Sequence, residues 1–125
     1  MYDRPVFDLD DAIKLIDASL AAVRDEESPI SIAVVDDVGD WVAFARMDYS
    51  PYFDREHARR KAYTAAVMRE DLHAFAAARV KTGLLLADLG NPHLIGSAHG
   101  GVAVRDSDGH IIGGLGISGA SPEED

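Results

Sequence analysis

The sequence contains no cysteine. That removes disulfides, thiolate nucleophiles and cysteine-ligated metals from consideration. Positive charge is also scarce: 12 bases stand against 22 acids, for a formal charge of -10. A nucleic-acid partner needs a basic face, and an anionic membrane surface needs a basic patch, so neither is expected. No stretch approaches the roughly 20 apolar residues of a membrane helix. The opening MYDRPVFDLDD lacks the apolar centre of a signal peptide, and the expectation is a cytoplasmic protein. There is no GxxxxGK[ST] phosphate loop, no G-x-S-x-G elbow and no HExxH metal motif. No metal site is expected from the pattern.

What remains is a chain of 125 residues, 47% of them apolar, enough for one domain over 1–125 with a single core. Leu9, Ile13, Ile16, Leu20 and Val23 recur at helical spacing, with Asp8 placed to cap the start. ISIAVVD is β-branched on both faces and predicts a covered strand; after the turn at Asp37–Asp40, WVAFARM predicts its hairpin partner. DREHARRKAYTAAVMRED predicts a helix with Asp54 as N-cap. Its alanines 58, 62, 65 and 66 would let another element approach closely. LHAFAAARV either continues that helix or begins another near Asp71. Residues 82–98 have no clear period. GVAVRD and HIIGGLGIS then flank Ser107-Asp108-Gly109, a hairpin signal. Ser121, Pro122 and Glu124 stand in the order of a helix start. Two antiparallel hairpins separated by helices make an α+β domain with helices covering the sheet.

Three stretches, ISIAVVDDVGDWVAFARMD, KAYTAA and GGVAVRDSDGHIIGGLGISGASPEED, follow in this order. Together they resemble the GlcG/HbpS family, over about residue 8 to the end. That family includes haem-binding proteins, accessory proteins of glycolate or diol metabolism, and a domain of some corrinoid adenosyltransferases. The resemblance implies a profilin-like fold, frequent oligomer formation and a tetrapyrrole ligand. The family's final helix would follow Asp125, so it is expected to be missing here. This chain departs from the family in its His93 and His99, and in having Ala103 where a proline is common.

The candidate site residues follow from chemistry and placement. Seven of the 12 bases fall between residues 55 and 81, a local field that would attract a carboxylate. Among them Arg55 shares a helix face with Arg59, and Lys61 sits in the family-like KAYTAA run. Arg46 ends a strand, where it either meets an anion or pairs with Asp36 or Asp48. His57, one turn before Lys61, is a candidate base or ligand. His93 and His99 lie in the glycine-bearing segment NPHLIGSAHGG, where a histidine can ligate haem iron or move a proton. His73 and His110 read as surface residues. Gly100, Gly101 and Gly119, at strand ends, either bare the backbone to a ligand or serve packing.

Three readings stay open. The first is a small-molecule-binding protein with haem as the leading ligand. Lys61 or Arg55 would meet the propionates and His99 or His93 the iron. The second is a small isomerase, cyclase or lyase acting on a carboxylated or carbonyl metabolite. There His57 or His99 would be the base, with Arg46 and Lys61 holding the anion. The third is a non-catalytic accessory protein that works as a homo-oligomer.

Overall fold

The computed structural model describes residues 6–23 and 28–119. In chain order they form α1 (Leu9–Val23), β1 (Ser31–Asp36), β2 (Trp41–Arg46), α2 (Tyr52–Met68) and α3 (Leu72–Thr82). A 3-10 turn (Leu86–Leu89), β3 (Gly101–Arg105) and β4 (Ile111–Ser118) complete the order. One antiparallel sheet runs β2-β1-β4-β3. The two hairpins therefore join through their inner strands, β1 against β4.

Alternation along β1 supplies both faces of the sheet. Ile32 and Val34 point toward α1, where they join Phe7, Ala12, Ile16, Val23 and Ile112 in the main core. Each such large side chain, fully buried, contributes about 1.5–3 kcal/mol. Ala33 and Val35 point the other way and meet Ala58, Ala62 and Ala66 of α2. The expected alanine face is thus a contact face. Its complement on the sheet is glycine: a Cβ on Gly114 would lie 2.1 Å from the Ala62 carbonyl oxygen, and one on Gly116 equally close to that of Ala58. The helix rests directly on backbone, which leaves no room for side chains between.

The apolar stripe of α1 is turned from its expected position. Asp8 does cap the helix, accepting the Asp11 N–H at 2.8 Å. Yet Leu9 and Ile13 are exposed, while Ala12, Ile16 and Val23 are buried. The small Ala12 lets the helix settle close to the sheet, a preference that ranking by hydrophobicity passes over.

At α2 the expected cap changes, and of the two alternatives for its far end the second holds. Pro51 occupies the N-cap position, and Asp54 lies in the first turn, its Oδ1 accepting the Ser118 hydroxyl at 3.0 Å. That carboxylate fastens the helix to the end of β4. At the other end Arg69 takes a left-handed conformation with φ 59°, and a separate helix, α3, starts at Leu72. Leu72 and Phe75 anchor α3. The helix-start signal at Ser121, Pro122 and Glu124 lies outside the described residues.

Candidate functional site

The first half of α2 organises most of the candidate residues, and its two flanks divide them. On the flank toward β2, Arg55 and Glu56 face Trp41 and Phe44 across a cleft of about 320 Å³. The two aromatic rings meet edge to face at 5.7 Å and are both exposed. Strict alternation would put Trp41 and Phe44 on opposite faces of the strand. A bulge in β2, where Val34 pairs with Ala43 but Val35 pairs with Trp41, brings both to the α2 face. The helix covers β4, β1 and β3 rather than β2, so these rings stay open to solvent.

Arg55 holds its guanidinium 5.0 Å over the Tyr52 ring, a cation–π arrangement. Its Nε is buried and has no hydrogen-bond partner among the described residues. Glu56 is paired with Arg59 at 3.2 Å. Arg46 lies at the exposed end of β2 and donates to the Ser50 carbonyl at 3.4 Å rather than to Asp36 or Asp48. The flank offers aromatic faces beside a cation, a combination suited to a ligand with an apolar body and a carboxylate.

The other flank gathers His57, Lys61 and the strand-end glycines. Lys61 is buried and donates to the Ile117 carbonyl at 3.0 Å. The Ile117 N–H donates to the Gly100 carbonyl at 2.7 Å. A Cβ on Gly101 would crowd the Leu72 side chain and lie 3.0 Å from the Lys61 carbonyl. Lys61, Gly100 and Gly101 thus share one corner, and His99 immediately precedes Gly100. His57 stands one turn earlier on the same flank. Its ring stacks on Phe53 at 3.8 Å, and its Nδ1 lies 3.1 Å from the Phe53 carbonyl. Gly119, with φ +114°, has Asp54 and the Pro29 carbonyl where a side chain would go.

The two histidines of the glycine-bearing segment separate. His93 crosses the outer face of α2, where its ring meets the edge of Tyr63 at 5.8 Å. Arg60 holds the backbone there, donating to the carbonyls of Pro92, His93 and Leu94. His99 is exposed, and among the described residues its hydrogen bonds are backbone ones to Ser97. His73 is exposed on α3.

At the opposite end of the β3–β4 hairpin, ligand atoms of Asp106, Asp108 and His110 lie within 4.8 Å of one another. Turn chemistry accounts for this grouping, since Asp106 Oδ1 accepts the N–H groups of both Asp108 and His110 at 2.9 Å. Desolvation pushes the Asp106 carboxyl upward. The backbone N–H groups of His110 and Asp108, with the adjacent imidazole, outweigh it and hold the group below the usual carboxylate range. No described helix is long and apolar enough to cross a membrane.

The sequence reading missed the Trp41–Phe44 pair and the role of Phe53. The bulge that aligns the pair leaves no mark in the hydrophobic pattern. Phe53 did carry a signal, four residues before His57 on a helix, where side chains meet.

Comparison with known proteins gives three findings. A family model described as haem-degrading protein HbpS-like matches residues 7–125. The corrinoid adenosyltransferase PduO of Salmonella typhimurium is 33% identical over 117 residues, 92% of this chain and 34% of that protein. The chain thus spans about a third of the length of the PduO relatives it matches. Among solved structures, HbpS superposes with a TM-score of 0.86 at 28% identity, covering 100% of this chain and 86% of the other. A PduOC–haem complex superposes at 0.82 and 28% identity, covering 96% and 87%.

Proposed function

The chain belongs to the HbpS-like family, and from that premise we propose that it binds haem or a related tetrapyrrole on the surface built by the first half of α2. The observation that carries this reading is the likeness to PduOC, a relative crystallised with haem, over 96% of this chain. The local chemistry fits the group. A macrocycle needs flat apolar surface, cations for its propionates and a nitrogen donor for its iron. Trp41 and Phe44 present exposed rings on one flank of α2, and Phe53 presents one on the other. Arg55 lines the cleft beside Trp41 and Phe44 and supplies the cation. His57 supplies an imidazole on the flank of Phe53. When bound, haem would bring redox-active iron; the chain's own part is to bind and orient it and to screen one face from water.

Exposed Tyr52, under the Arg55 guanidinium, adds to this surface, which supports a homo-oligomer in which a second copy covers it. The enzyme reading has support in the Trp41–Arg55 cleft, whose volume suits a small carboxylate. Lys61, buried against the Ile117 carbonyl, does not line that cleft.

The test is a hemin titration followed by visible absorption. A saturable Soret shift at one haem per chain is the expected result. A linear, unsaturable rise would reject the haem reading and turn the search to small carboxylates, with protection of the Arg55 cleft as the readout.

A further inference from the structure

We propose that His57 is the residue whose Nε2 meets the iron, an inference that rests on the haem reading above. The sequence favoured His93 or His99 for that role, on the ground that irregular segments bring side chains together. The structure distinguishes the five histidines by what holds each ring. His99 and His73 are exposed, with no hydrogen-bond partner for either ring among the described residues. The His93 ring meets the edge of Tyr63 and has no ring hydrogen bond among the described residues. His110 faces the Asp106 carboxylate at 3.5 Å, at the far hairpin.

Among the described residues, Phe53 holds the His57 ring in two ways, through its backbone carbonyl and through its own ring. The His57 Nδ1 lies 3.1 Å from the Phe53 carbonyl oxygen. A carbonyl can only accept, so Nδ1 carries the proton in this contact, and in neutral imidazole the lone pair is left on Nε2. Ligating histidines typically show this arrangement, with the second nitrogen donating to a carbonyl or carboxylate that sets tautomer and ring orientation. Stacking on Phe53, at 3.8 Å with 29° between the ring planes, constrains the ring further. The imidazole is therefore oriented before any ligand arrives, and less ordering entropy opposes coordination. Phe53 itself is 63% exposed, an apolar ring standing next to the donor where a macrocycle edge would rest.

The test compares wild type, His57→Ala, His93→Ala and His99→Ala by ferric hemin titration and by electron paramagnetic resonance of the bound iron. Iron-free protoporphyrin IX serves as the parallel probe. The expected result is that His57→Ala weakens hemin roughly tenfold or more and changes the spin signature. Added imidazole restores the wild-type spectrum, and protoporphyrin IX binds all four proteins alike. Rescue by imidazole identifies a lost ligand and separates it from a damaged fold. If wild type binds hemin and His57→Ala keeps both affinity and spin signature, while the His93 or His99 variant loses them, His57 is not the ligand and the haem reading survives. If wild type itself shows no saturable binding, both fall together.

Discussion

Asp71 Oδ1 accepts the backbone N–H of Ala103 at 2.9 Å, tying the start of α3 to the outer strand β3. Asp71 occupies the N-cap position of α3 but makes no capping hydrogen bond. Its carboxylate serves the sheet instead, satisfying a donor on an edge strand that would otherwise invite another chain.

Replacing Asp71 with alanine leaves that half-buried N–H without its acceptor and is expected to cost about 1–2 kcal/mol. Asp71→Asn retains an oxygen acceptor and should cost less. Urea unfolding of the three proteins checks this order. Coincident midpoints would mean that water replaces the carboxylate without loss.

The contact between α2 and the sheet sets a second expectation. In Gly114→Ala the new methyl meets backbone, 2.1 Å from the Ala62 carbonyl oxygen. Backbone cannot rotate away as a side chain can, so the helix must lift from the sheet. Overpacking of this kind costs about 1–3 kcal/mol, and here it sits at the upper end. Gly83→Ala is the comparison: its methyl meets nothing within 4 Å, but φ is +71°, which costs about 1–2 kcal/mol from the left-handed conformation alone. Thermal unfolding should rank Gly114→Ala as the more damaging. The reverse order would place α2 farther from β4 than described.

Asp106 gives a pH dependence with a definite sign. Its carboxyl is held below the usual carboxylate range in the folded chain. A depressed folded value stabilises the protein fully above the unfolded value, and the contribution is lost as pH falls through the folded one. Relative to Asp106→Asn, wild type should therefore lose stability progressively under acid, below the ordinary carboxylate range. Denaturant unfolding of both proteins across that range reads it out. A stability difference that stays constant with pH would contradict the hydrogen-bonded turn.

The sequence was most legible where local chemistry and tertiary packing agree. Alternation and turn residues located all four strands, because both hairpins close through Asp and Gly positions that favour tight turns. The alanines of α2 announced a close approach, and Gly114 and Gly116 turned out to be the surface approached. Legibility failed where a distant element decides. Leu9 and Ile13 looked like core, but the sheet selected the face with Ala12. Asp54 looked like a helix cap, but Ser118, 64 residues away, takes its carboxylate. At the candidate site, His57 and Arg55 were recognisable as residues, while the partners that orient them were not. Phe53 and Tyr52 act through rings and a backbone carbonyl, and no spacing rule for ligands encodes those contacts.

The most direct test of a haem surface on α2 is amide chemical-shift mapping with gallium protoporphyrin IX, a diamagnetic stand-in for haem. The expected result is saturable shifts concentrated on Trp41, Phe44 and residues 52–61, with the Asp106–His110 turn unmoved. Saturable shifts centred on another surface, with α2 silent, would contradict the assignment of the site.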